Sequence, residues 1–273
     1  MADPIDLNAY FERIGYGGSA APRLETLREL HRLHPQAIAF ENLDPLLHWA
    51  VPLDIQSLQN KLVMQRRGGY CYEHNLLLKH ALERIGFRVA GLAARVLMNL
   101  PEDSIRPRTH MLLQVDVEDE IWIADVGFGG MTLTAPLRLV EQVPQATPHE
   151  PFRLTRREGD YMLQADVRGE WRTLYRFDLQ QQVLPDYELA SWYLSNHPQS
   201  HFVQRLIAAR TAPGRRYALR QNELAIHELN GATERQSLQS ASALRAVLSE
   251  TFGIALPDSE ALDEKLREIA ESG

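Results

Sequence analysis

Apolar side chains return at helical spacing through Leu24, Leu27, Leu30 and Leu33, which predicts one buried helix face. A second stretch, from Ser57 through Leu58, Leu62 and Val63, keeps the same period and stops at Gly68-Gly69. Directly after the glycine pair, Leu78, Leu82 and Ile85 mark one face of a third helix, with Gly86 as the residue just past its end. Beyond Gly86 the period changes. Val89 to Leu97, Met111 to Val117 and Ile121 to Val126 are short β-prone runs, the last two joined as a hairpin through Glu118-Asp119-Glu120. Phe152–Arg156, Tyr161–Val167 and Trp171–Phe177 extend an antiparallel system, with Glu158-Gly159-Asp160 turning between the first two.

Pro185-Asp186 opens a short amphipathic helix. Val203–Ala209, Tyr217–Leu219 and Leu224–Glu228 then read as strands, with a turn at Pro213-Gly214 and two closing helices near Ala241–Phe252 and Ser259–Ile269. A helical unit, then a small barrel or strongly curved sheet, then a mixed tail describes an α+β protein. At 273 residues the chain exceeds one ordinary hydrophobic core, so two or three subdomains are expected.

Composition excludes more than it identifies. A formal net charge of −7 argues against a nucleic-acid partner, which needs a basic face to neutralise phosphates. No stretch approaches the roughly 18 consecutive apolar residues of a membrane span. The acidic start Met1-Ala2-Asp3-Pro4-Ile5-Asp6 has no apolar run, so no secretory or transit signal is expected. The single cysteine, Cys71, has no internal disulfide partner, which fits a reducing cytoplasm. Metal binding is not expected: Cys71 with His74, and His31 with His34, offer two ligands each, whereas zinc sites take three or four protein ligands.

Chemistry concentrates in Arg67-Gly68-Gly69-Tyr70-Cys71-Tyr72-Glu73-His74-Asn75, where the glycine pair delivers Cys71 onto the first turn of a helix. Unpaired amides and the helix dipole favour an anion there, hence a nucleophilic thiolate. The alternative is an inert buried thiol. A nucleophile needs an imidazole for proton transfer, and ten histidines compete. His110 follows the proline-broken loop Pro101–Pro107 at a strand start, and Asp125 ends the next strand of the same hairpin. The two fall within plausible reach for a carboxylate to fix the ring tautomer, although any His and Asp flanking a hairpin can be a purely structural pair. Gly127-Phe128-Gly129-Gly130 lets a ligand approach the backbone, or is an ordinary turn; it fits neither the Rossmann nor the P-loop pattern.

Ala39-Phe40-Glu41-Asn42-Leu43-Asp44, the Arg67–Asn75 stretch, Thr109-His110 and Asp125-Val126-Gly127-Phe128-Gly129 together resemble the motifs of arylamine N-acetyltransferases, in the family's order. The likeness continues through Ser191-Trp192-Tyr193, His197-Pro198 and His201-Phe202-Val203, covers nearly the whole chain and is nearest to the bacterial, actinobacterial type. It implies a helical domain over 1–87 carrying the nucleophile, an antiparallel β-barrel over 88–195 carrying His and Asp, and an α/β lid over 196–273, with a cysteine-proteinase-like core. It also implies acetyl transfer from acetyl-CoA to arylamines or arylhydrazines by a ping-pong route through acetyl-Cys71, with His110 as base and acid and Asp125 as the orienting carboxylate. Phe40, Phe128 and Phe202 would line the acceptor pocket, though aromatic residues are more often plain core. Thr109, Gly129 and His227 would contact coenzyme A, with Arg235 a further candidate near a phosphate. Met98 follows Arg95-Val96-Leu97 where related sequences often carry Trp, so the acyl-CoA entrance is expected to differ. Glu41 and Arg67 are expected to form a structural ion pair. Acetyl-CoA and a small amine are the expected partners, and a homodimer is compatible with the sequence.

Three other readings use the same residues. A cysteine peptidase or transglutaminase would share the triad, but the papain-type Cys-Gly-Ser-Cys-Trp signature is absent. An amide synthase would take a carrier-bound chain in place of acetyl-CoA. A non-catalytic binding protein would leave the three residues idle.

Overall fold

The computed structural model describes residues 5–229 and 231–271. Helix α1 (Leu7–Ile14) is capped by the Asp6 carboxylate, which accepts from the Asn8 and Ala9 amides, and ends at Gly15 in the left-handed region. Helix α2 (Leu24–Ala37) buries Leu27, Leu30, His31 and His34. After it come the short strand β1 (Phe40–Glu41), the single turn α3 (Leu43–Leu46), and α4 (Ile55–Leu58), which widens into π geometry over Gln59–Met64. Helix α5 (Cys71–Ile85) follows the glycine pair and ends, as the sequence predicts, at left-handed Gly86. Gly68 and Gly69 permit a tight approach: a Cβ on Gly68 would meet the Ala39 carbonyl at 2.1 Å, and one on Gly69 the Glu73 carboxylate at 2.6 Å.

Strands β2 (Arg88–Val96), β3 (His110–Val117), β4 (Glu120–Ala124), β5 (Leu137–Arg138), β6 (Phe152–Arg157), β7 (Asp160–Val167) and β8 (Glu170–Phe177) follow. Among the described residues they form one antiparallel sheet, in the order β5-β4-β3-β2-β8-β7-β6. The segment after β5 nearly closes it into a barrel. There Gln145 exchanges two backbone hydrogen bonds with Phe152 on the opposite edge, at 2.7 and 3.0 Å. The β3–β4 hairpin turns through Glu118 and Asp119, both at positive φ, the primed geometry that matches strand twist. Strand β3 alternates: Met111, Leu113 and Val115 pack with the helices, whereas Leu112 joins Ile123, Phe152 and Tyr175 inside the barrel.

Helix α6 (Leu184–Asn196) begins at the predicted Pro185-Asp186 signal. The strand expected over Val203–Ala209 starts late. Ser200 caps one helical turn, α7 (His201–Gln204), and β9 runs Ile207–Ala212. Asn42 explains the break: its amide donates to the Phe202 and Arg205 carbonyls, both at 2.7 Å, and its oxygen accepts the Ile207 amide at 2.7 Å. That partner lies 160 to 165 residues away in sequence, beyond the reach of local pattern. Strands β10 (Arg215–Arg220), β11 (Glu223–Glu228) and β12 (Thr233–Ser237), with β9, take in β1 as the edge of a second sheet, order β1-β9-β10-β11-β12. Helix α8 (Ala241–Ala246), its π continuation Val247–Thr251, and α9 (Glu260–Glu271) cover that sheet. None of the described helices is long and apolar enough to cross a membrane.

The expected Glu41–Arg67 pair forms within a larger buried network. Arg67 donates to Glu41 Oε1 at 2.9 and 3.0 Å and to Asp44 at 2.7 Å, while Lys61 joins Asp44 at 2.6 Å and Glu73 at 2.7 Å. The cluster ties β1, α3, the π segment and α5 together. Removing one partner strands the others in low dielectric. Arg67→Met should therefore cost about 3–5 kcal/mol of unfolding free energy by urea titration, and a loss below about 1 kcal/mol would contradict that account.

Candidate active site

Helix α5 places Cys71 at its first residue, and the chain leaving β4 brings Asp125 opposite it, with His110 between them at the start of β3. His110 donates from Nε2 to Asp125 Oδ2 at 2.7 Å, and the Cys71 sulfur is the ring's other side-chain partner. The three residues are buried at 4, 3 and 0 % exposure, so water screens their charges little. Cys71 Sγ also lies 3.7 Å from the Thr109 carbonyl oxygen.

The Asp125 carboxylate has four donors. His110 and the Tyr175 hydroxyl, at 3.0 Å, share Oδ2; Asn75 Nδ2 at 3.0 Å and the Gly127 amide at 2.9 Å share Oδ1. Burial alone would raise its pKa, but the His110 charge and these hydrogen bonds more than compensate and hold it below the ordinary carboxylate range. Burial likewise opposes a charged His110. The Asp125 charge and hydrogen bond, helped by Cys71, outweigh that and raise the ring to about 10. Around neutral pH, then, an imidazolium stands between a carboxylate and a sulfur.

Gly127 fits so closely that a Cβ would sit 2.9 Å from Cys71 Cα and from Asn75 Nδ2. Its close neighbour is thus the backbone of Cys71. Phe128 packs edge-on to His110 with ring centroids 5.0 Å apart. Phe40 and Phe202 meet at 6.0 Å, Phe202 also touches Tyr70 at 5.6 Å, and left-handed Gly129 lies against the Phe40 ring. The structure brings Cys71, His110, Asp125, Thr109 and Phe128 together and places Phe40, Phe202 and Gly129 beside one another.

His227 stands elsewhere, on β11, hydrogen-bonded to Thr233 at 2.9 Å. It lines a cavity of about 1240 Å³ between barrel and second sheet, with Met98, Gly130, Trp171 and Arg216 on the same walls. Cys71, Thr109 and Gly129 are not on those walls; Gly130, next to Gly129, marks where the cavity comes nearest along the chain. Arg235 lies exposed on β12. Among the described residues no group of three or more His, Cys, Asp or Glu is arranged to hold a metal ion.

Sequence reasoning assigned no role to Asn75, Tyr175 or His31. Asn75 is four residues after Cys71, hence on the same helix face, and that spacing could have flagged it. Tyr175 comes from β8 and His31 from α2, where it accepts the Asp125 amide at 3.0 Å, and neither carries a local signal.

A family profile described as N-acetyltransferase matches residues 23–261. The arylamine N-acetyltransferase of Escherichia coli K12 is 44% identical over 255 residues, covering 93% of this chain and 90% of that one. The Mycobacterium tuberculosis H37Rv enzyme of the same name is 46% identical over 260 residues, covering 93% and 91%. The structure of Mycobacterium marinum arylamine N-acetyltransferase in complex with CoA superposes with a TM-score of 0.93 at 43% identity, over 97% of this chain and 99% of that one.

Two expectations follow. Gly127→Ala forces a methyl group against Cys71 and should cost about 1–3 kcal/mol of stability and slow Cys71 alkylation by iodoacetamide; wild-type stability and reactivity together would contradict the packing. The second concerns acid. Burial lowers His31 and His74 to about 4 and His34 well below 6.5, so all three are neutral in the native state and protonate on unfolding. The contribution of His31 and His74 is complete above pH 6.5 and disappears as pH falls through about 4, at roughly 3 kcal/mol apiece, and His34 acts in the same direction. His110 has the opposite sign: its contribution is complete below pH 6.5 and is lost as pH rises through about 10. Urea unfolding between pH 7 and 4 should show the acid loss, and a flat profile would refute it.

Proposed function

The chain belongs to the arylamine N-acetyltransferase family, and from that premise we propose that it moves an acetyl group from acetyl-CoA to an arylamine or arylhydrazine by way of Cys71. The observation that carries this reading is the buried row of sulfur, imidazole and carboxylate, closed by the 2.7 Å bond from His110 to Asp125. For attack the proton is on His110 and the sulfur acts as a thiolate, favoured by the imidazolium beside it and by its place at the N-terminus of α5.

The thiolate attacks the thioester carbonyl carbon of acetyl-CoA, and the carbonyl electrons move onto oxygen. When the intermediate collapses, the bond to the CoA sulfur breaks, and that sulfur takes the proton from His110 and leaves as the thiol. Acetyl-Cys71 and a neutral His110 remain. An arylamine is largely neutral at pH 7, so its nitrogen attacks the acetyl carbon directly. His110 takes the nitrogen's proton, and the Cys71 thiolate is released beside a restored imidazolium. Asp125, ionised throughout, holds the ring in the tautomer both half-reactions need. Because CoA departs before the amine reacts, the kinetics are ping-pong.

Phe40, Phe128 and Phe202 supply the apolar slot for the acceptor ring. For the donor, the cavity containing His227, Met98 and Arg216 is large enough for the nucleotide end of CoA, and Thr109 and Gly129 would guide the thiol arm toward Cys71. CoA bound to the Mycobacterium marinum relative supports acetyl-CoA as co-substrate. Mixing the protein with acetyl-CoA alone, without amine, should produce one acetyl group on Cys71 by peptide mass spectrometry and one equivalent of free CoA. Cys71→Ser should give neither, and an acetyl-free Cys71 in the wild type would sink this mechanism.

A further inference from the structure

The proposed chemistry uses neither His31 nor His34, yet both are fully buried on α2, three residues apart and so on one face. From that face they reach the two elements carrying the reactive row. His31 Nε2 accepts the Asp125 backbone amide at 3.0 Å. His34 Nε2 lies 2.9 Å from Nδ1 of His74, which stands three residues beyond Cys71 on α5. His74 Nε2 meets the Ala39 carbonyl at 3.2 Å, and the Tyr10 hydroxyl meets His34 Nδ1 at 2.8 Å.

The direction of each bond follows from its fixed end. An amide can only donate, so His31 Nε2 carries a lone pair and its proton is on Nδ1. A carbonyl can only accept, so His74 carries its proton on Nε2 and presents Nδ1 to His34. His34 must then donate from Nε2 and accept from Tyr10 at Nδ1. Protonating His31 would set a donor against the Asp125 amide, and protonating His74 at Nδ1 would set one against His34. The groups facing these rings are Asp125 for His31, His74, His31 and Arg13 for His34, and Glu41 and Lys61 for His74.

We propose that α2 is the positioning element of the reactive row, and that His31 is its positioning residue: a neutral ring whose Nε2 holds the Asp125 turn while the His34–His74 pair holds the Cys71 helix against the same strut. This rests on the Cys71–His110–Asp125 reading and adds a residue that touches no reacting atom. A carboxylate held from behind keeps His110 aligned with the sulfur, so its effect should be read in the chemical step rather than in substrate binding.

The first test needs no variant. Long-range proton–nitrogen NMR of the full-length wild type at pH 7, without substrate, should show His31 protonated at Nδ1 and His34 and His74 at Nε2. A charged ring or the opposite tautomer at His31 overturns the proposal. The second test compares His31→Gln, which keeps an acceptor, with His31→Leu, which does not. His31→Leu should lower both iodoacetamide alkylation of Cys71 at pH 7 and kcat by about tenfold or more, with KM for acetyl-CoA within about twofold, while His31→Gln stays within about threefold of wild type on all three. Equal losses in the two variants, or a wild-type alkylation profile against pH in His31→Leu, would show bulk packing only and overturn it. If the wild type fails to acetylate Cys71, the transfer mechanism fails, whereas the tautomers are read in the resting protein either way.

Discussion

A carboxylate with no exposed surface is the constraint on which this fold turns. Asp125 stays ionised away from water only because four donors reach it, from β3, α5, β8 and its own turn. Each of those elements must sit where its donor reaches. An unpaired buried charge costs several kcal/mol, which gives the barrel and the helical unit a strong reason to dock in one register. The His110 ring owes its charge to that carboxylate, and Cys71 stands between the ring and the N-terminus of α5.

The same economy of charge runs through the neighbourhood. Within reach of the row, the core uses ions where they can be paired and neutral rings where they cannot. Arg67 and Lys61 pair with Glu41, Asp44 and Glu73 under the N-terminus of α5, where burial pushes the Glu73 carboxyl up to about 7. His31, His34 and His74, packed just above, are kept neutral by burial and serve as directional hydrogen-bond connectors. Both sets converge on the short stretch between Ala39 and Asp44. That stretch also supplies Phe40 to the aromatic cluster and Asn42 to the start of β9, so a few residues tie the helical unit to the second sheet.

Much of this was legible in the chain. The period change after Gly86, the two-residue hairpin turn at Glu118-Asp119 and the glycine pair before Cys71 are local signals, and local backbone preference is enough to set them. The order of helices and strands followed, and so did the family. Elements with no local signal were not visible: β1 and β5 are two residues long, and α7 interrupts a β-prone run because a distant Asn42 satisfies its carbonyls. Gly127 was readable as a place of close approach, yet what approaches it is the backbone of Cys71.

Sequence by itself singled out Cys71, His110 and Asp125 and the elements that present them, because a cysteine at a helix start and a His and Asp on one hairpin are properties of short stretches. Only the tertiary structure decided that these stretches meet, how the carboxylate is saturated by Tyr175 and Asn75, and that α2 lies behind both halves with neutral histidines. The reason is physical. Charge state and hydrogen-bond direction depend on burial and on partners from other elements, and neither exists until the chain has packed.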